Sequence, residues 1–138
     1  MNILVDSSTM YSAIGHSGKV SMLLDLIIEK HTIVLSDYII EELRRNFSEK
    51  LSGKARNNAL SRLDEFISFF IVKKKEEYIG NLRSAIKLIS KKDAPVLACG
   101  MLTDIDYLLS SDKEFSSVVT DRVIILTPKE AEKVLLDR

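Results

Sequence analysis

The sequence contains no tryptophan, one cysteine (Cys99) and two histidines (His16 and His31) in 138 residues. A lone cysteine forms no internal disulfide and no cysteine-based zinc site, and Cys99 reads as a buried, inert thiol. His16 and His31 have no partner at ligand spacing, so neither reads as a metal ligand. With two prolines and five glycines, the chain shows no repeat, linker or low-complexity tract. No apolar run approaches the ~20 residues that cross a bilayer. The longest, from Phe66 to Val72, is interrupted by Ser68. The pattern of a basic segment followed by a long apolar one is also missing near Met1, so a cytoplasmic protein is expected. Nor does one sign of charge dominate, since 20 basic residues balance 20 acidic ones. That balance excludes a basic footprint over the whole surface but leaves room for a local one.

The chain does have apolar residues, at 46% of its length, enough for one globular domain spanning residues 1–138. Asn2 to Val5, Thr32 to Leu35, Tyr107 to Leu109 and Val123 to Leu126 are short apolar or β-branched runs that predict buried strands. The segment Ile67 to Val72 is ambiguous, and its Phe and Ile content suits a further strand. Between the runs lie helical patterns: Thr9 to Ile14; Val20, Leu23, Leu24, Ile27 and Ile28; and Ile39, Leu43 and Phe47 behind a Ser36-Asp37 start. Further helices are predicted from Lys54 to about Phe66 and along Tyr78, Leu82, Ile86 and Ile89. Thr127-Pro128-Lys129-Glu130 reads as a capping box with proline at the first helical position. Strands alternating with helices predict an α/β fold, with a parallel sheet of about four to five strands covered on both faces.

Three acids stand out at element boundaries and a fourth on the flank of a helix. Asp6 follows the first strand and Asp112 follows the Tyr107–Leu109 strand, and ligands of parallel sheets bind outside the carboxyl ends of strands. Asp93 opens a helix with Pro95 in its first turn, on the same side as Val96, Leu97 and Gly100. Glu42 flanks the buried side of its helix more closely than Glu41 does. Taken singly, each of the four has a plain structural role as a cap, a loop acid or a solvated residue.

In that order and spacing, Leu4-Val5-Asp6-Ser7-Ser8, Ser36 to Leu43, Asp93 with Leu97-Ala98, and Asp106 to Asp112 resemble the PIN-domain nucleases. These include toxins of bacterial and archaeal toxin–antitoxin pairs. The resemblance covers nearly the whole chain and implies that Asp6, Glu42, Asp93 and Asp112 bind one or two Mg²⁺ or Mn²⁺ ions. Ser110 falls where the family usually has a Thr or Ser near the metal, and Asp106 is a possible supporting residue whose simpler reading is structural. Ser8 departs from the usual Asn, and Thr103-Asp104-Ile105 replaces the usual small turn.

The resemblance further implies metal-dependent endoribonuclease activity on single-stranded RNA or a structured RNA loop, leaving 5′-phosphate and 3′-hydroxyl ends. An antitoxin and a second copy of the chain are the implied protein partners. Arg44, Arg45, Lys91, Lys92 and Lys113 lie beside the expected cleft and are candidates for holding the RNA backbone. The alternative is a PIN-like module that binds RNA or protein and cleaves little. A haloacid-dehalogenase phosphatase wants an Asp where Ser8 stands, and a phosphorelay receiver wants an order of residues absent here.

Overall fold

The apolar runs become one sheet in the structure, a computed structural model that describes residues 1–136. Strands Asn2–Val5 (β1), Thr32–Ser36 (β2), Ile71–Lys73 (β3), Tyr107–Leu109 (β4) and Ile125–Leu126 (β5) pair in the order β3-β2-β1-β4-β5, every pair parallel. Successive strand residues point to opposite faces, yet Ile3, Leu4 and Val5 are all fully buried, so helices cover both sides of the sheet.

The longer helices are Ser7–Gly15 (α1), Lys19–Lys30 (α2), Asp37–Lys50 (α3) and Gly53–Phe69 (α4). Shorter pieces follow: Lys75–Tyr78 (α5), Leu82–Ile86 (α6), Ala94–Gly100 (α7), Lys113–Ser116 (α8) and Pro128–Leu135 (α9). α1 packs against α2, α3 and α4, while α7 packs against α5 and α6. Phe47 of α3 is fully buried and stacks on Tyr11 of α1 at 4.9 Å between ring centroids. Where α3 hands over to α4, Gly53 takes φ +57°, the left-handed region that glycine enters without a Cβ clash.

Three expectations are corrected. α4 runs on to Phe69, and only Ile71–Lys73 forms a strand. Phe66 and Phe70 are one helical turn apart and stack at 5.5 Å, which favours helix over the extended form, while Phe69 points out with 80% exposure. The stripe from Tyr78 to Ile89 is not one helix: a 3₁₀ turn at Ile79–Asn81, with Gly80 at its centre, separates α5 from α6. The final strand is shorter than the apolar run, covering Ile125–Leu126 alone.

The strand order places a topological switch beside β1, because β2 lies on one side of it and β4 on the other. The register pairs Val5 with Leu109, so the next residues, Asp6 and Ser110, leave the sheet at the same level. At the opposite edge, Asp106 accepts the Asn2 N–H through Oδ2 at 2.7 Å and donates its own N–H to the Asn2 carbonyl at 2.9 Å. Asp106 therefore ties the amino ends of β1 and β4 together, away from the carboxyl ends where Asp6 and Asp112 lie, which is its simpler structural reading and not that of a supporting residue.

Candidate active site

Asp6 sits at the exit of β1 as the N-cap of α1, and its Oδ1 accepts the Thr9 N–H at 2.9 Å. Its carboxylate also accepts hydroxyl hydrogens from Ser8, at 3.2–3.3 Å, and from Ser110. Asp6 is 3% exposed. Burial pushes its pKa above the ordinary value, against the pull of these hydroxyl and amide donors. Ser110, also buried, accepts the Asp112 N–H on the same hydroxyl at 3.0 Å. One side chain thus fixes the spacing of two acids.

Asp112 caps α8, its Oδ1 accepting the Glu114 N–H at 3.0 Å. A cap with one turn of helix behind it brings Glu114 back over Asp93. Asp93 in turn stands at the N-terminus of α7 but makes no side-chain bond to that helix. Its Oδ2 accepts Ser90 Oγ at 3.2 Å, and Ser90 reaches Glu114 at 3.3 Å as well. Oxygens of Asp93, Asp112 and Glu114 all lie within 4.8 Å of one another. Partial burial, then the hydrogen bond and charge of Glu114 and the charge of Asp112, raise the Asp93 pKa to about 7. Glu114 moves the other way, held below its usual value chiefly by the bond to Asp93. Of the two, Asp93 holds a proton more readily and Glu114 ionises more readily.

Glu42 is 9% exposed on α3, a helix started by Ser36, whose Oγ accepts the Ile39 N–H at 3.1 Å. Its Oε1 accepts Ser7 Oγ at 2.8 Å, so Glu42 joins the Asp6-Ser7-Ser8 turn rather than the trio itself. Tyr38, one turn earlier on α3, donates its hydroxyl to the Lys92 carbonyl at 2.6 Å and so holds the segment that leads into Asp93. Burial first, then the charges of Glu42 and Asp93, push the Tyr38 hydroxyl pKa up. The four acids singled out in the sequence therefore occupy one sheet edge as two linked groups. Asp93 and Asp112 join Glu114, Asp6 and Glu42 sit on hydroxyls, and Ser110 bridges the two groups.

Glu114 was missed because Lys113-Glu114-Phe115 reads as a plain turn; the signal that would find it is an acid two residues after a capping aspartate. Among the basic candidates, Arg45, Lys91, Lys92 and Lys113 are exposed, and the Lys92 charge helps keep Glu114 ionised. Arg44 is directed elsewhere, paired with Asp64 of α4 at 2.9 Å. Cys99 is buried and its thiol is pushed up to about 12 by that burial, which leaves it protonated and unreactive. His31 binds the Leu135 carbonyl at 2.9 Å through Nε2, on the α2–α9 side of the molecule.

A parallel five-stranded sheet in this order, with acids leaving the central strands, is the fold of the PIN domain. Solved structures of PIN-domain toxins share it. A chain of the VapBC2 complex from Rickettsia felis, bound to a promoter DNA fragment, matches with TM-score 0.69 and 23% identity over 92% of this chain and 98% of that one. A chain of the FitAcB structure from Neisseria gonorrhoeae matches with TM-score 0.68 and 23% identity over the same shares. VapC20 of Mycobacterium tuberculosis, a sarcin-ricin loop cleaving toxin, matches with TM-score 0.55 and 15% identity over 85% of this chain and 96% of that one. No protein-family model and no curated protein matches the sequence.

Proposed function

We propose that the chain is a metal-dependent endoribonuclease acting on single-stranded RNA, and the toxin of a toxin–antitoxin pair. The observation that carries this reading is the approach of the Asp93, Asp112 and Glu114 oxygens to within 4.8 Å of one another, beside the Asp6–Ser110 link. Three carboxylates that close resist joint ionisation, and a divalent cation removes the conflict. The donors are all oxygen, with no His or Cys among them, which fits Mg²⁺ or Mn²⁺. Asp93, Asp112 and Glu114 would hold the ion, with Asp6 and Glu42 adding charge at its side. When bound, such an ion supplies Lewis-acid stabilisation of phosphate charge and a more acidic water.

The rest of the chemistry belongs to the chain. Asp93 would have to be ionised to hold the ion, and Ser7 and Ser110 orient Glu42 and Asp6 through hydroxyl hydrogen bonds. Arg45, Lys91, Lys92 and Lys113 attract the RNA backbone to an otherwise acidic edge. An antitoxin is the proposed protein partner, in keeping with the complexes matched above. Pairing of two copies is a further expectation, which the mass in solution tests.

The decisive experiment is cleavage of a mixed-sequence single-stranded RNA in Mg²⁺ or Mn²⁺, with EDTA, Asp6→Asn and Asp112→Asn as controls. Cutting that needs the metal and both aspartates is expected. RNA binding without cutting would move the chain to the binding-module reading.

A further inference from the structure

Next to the acid cluster lies a cavity of about 300 Å³ that the reading above leaves without a role. Tyr38, Tyr78, Pro95 and Leu82 line it, together with the exposed side chains of Glu41 and Lys75. Its aromatic walls are already anchored. Tyr78 donates its hydroxyl to Asp37 Oδ1 at 2.5 Å, and Tyr38 donates to the Lys92 carbonyl at 2.6 Å. Asp37 is in turn fully engaged, accepting the Tyr38 N–H at 2.7 Å and the Lys75 N–H at 2.8 Å. Tyr78 is only 4% exposed, so what stays available is the half-buried Tyr38 ring and the carboxylate of Glu41, which has no side-chain partner among the described residues.

The cavity shares a wall with the acids. Glu41 precedes Glu42 on α3, Pro95 follows Asp93 by two residues on α7, and Tyr38 lies near enough to feel the charges of Glu42 and Asp93. A volume of this size is at the small end of ligand pockets, which suits one flat ring system. Single-stranded RNA is read by stacking splayed bases on aromatic side chains and by hydrogen bonds to their edges.

We propose that the cavity between α3, α5, α6 and α7 is a nucleobase subsite for the residue flanking the scissile phosphate, and that it selects guanine. The inference rests on the ribonuclease reading. Guanine presents N1–H and N2–H side by side, matching the two oxygens of a carboxylate such as Glu41, whereas uracil offers a single N–H there. Lys75 stands ready for the phosphate that follows the base.

The test separates this subsite from the cleavage chemistry. In EDTA, the protein is titrated with guanosine and uridine 5′-monophosphates while backbone amide NMR shifts are followed. Guanosine monophosphate is expected to move the resonances of Tyr38, Glu41 and Leu82, to bind about tenfold more weakly to Glu41→Gln, and to lose binding in the cavity-filling Leu82→Trp. Shifts confined to other surfaces, equal binding of both nucleotides, or binding unchanged in Glu41→Gln would each overturn the proposal. Glu41 is exposed, so its variant remains informative if Leu82→Trp does not fold. The same variants are then used on mixed RNA with Mn²⁺. If cutting persists with the parent's base preference, the subsite is refuted and the nuclease stands. If the parent does not cut yet binds guanosine monophosphate as described, the cavity stands as a guanine-binding site, and its place beside a scissile phosphate is overturned together with the nuclease reading.

Discussion

Adding Mn²⁺ to the protein is expected to raise its melting temperature, and by an amount that depends on pH through Asp93. At about a hundred times the dissociation constant, an ion that binds only the folded chain adds about 2.7 kcal/mol. For a domain of this length that is a rise of roughly 8 °C. The Asp93 carboxyl, with its pKa lifted to about 7, must lose its proton to join the site. Between pH 8 and pH 6 its ionised fraction falls about tenfold, so the same Mn²⁺ concentration should give only about half the rise at pH 6. Without metal the trend reverses. A carboxyl whose pKa is raised by folding from about 4 to about 7 gives full stability below the lower value, and that contribution is lost as pH rises through the upper one. Scanning calorimetry at both pH values, with EDTA or Mn²⁺, reads both trends. A rise equal at pH 6 and pH 8, or one that survives in Asp93→Asn and Asp112→Asn, would refute the assignment of the site.

Three further expectations concern single side chains. Ser110→Ala removes the hydroxyl that joins Asp6 to the Asp112 amide and should cost about 1–3 kcal/mol in urea unfolding, with a parallel loss of cleavage. Phe47→Ala opens a hole between α1 and α3 where the ring is fully buried, and a loss of about 3–5 kcal/mol is expected from the same assay. Gly53→Ala places a Cβ at φ +57° with nothing crowding it, so the cost should be conformational alone, about 1 kcal/mol, visible as a small drop in melting temperature with cleavage unchanged.

What the sequence revealed followed the strength of local signals. β1, β2 and β4 were legible because residues buried on both faces leave uninterrupted apolar runs, and α3 and α9 because Ser36 and Thr127 cap them with their own hydroxyls. The stretch from Phe66 to Val72 was not, since its density of apolar groups is the same for a helix end and a strand. Only the turn-spaced stacking of Phe66 on Phe70 decides for helix, and it appears only in three dimensions. The exits of Asp6 and Asp112 at one sheet edge followed from the strands they end, whereas grouping Glu42 and Asp93 with them rested on the resemblance to PIN-domain nucleases. Glu114 and the hydroxyl bridges escaped, because they depend on how a one-turn helix folds back, and no periodicity reports that.

The place of β1 also sets the order in which this molecule takes shape. Its first strand lies at the centre of the sheet, paired on one side with residues 32–34 and on the other with residues 107–109. A chain emerging from the ribosome can close the first of these pairs early, but the second waits for about 75 more residues. Asp6 and Glu42 therefore appear before Ser110, Asp93 and Asp112 are made. On the proposed ribonuclease reading, the site stays incomplete until β4 docks, because Asp112 follows that strand.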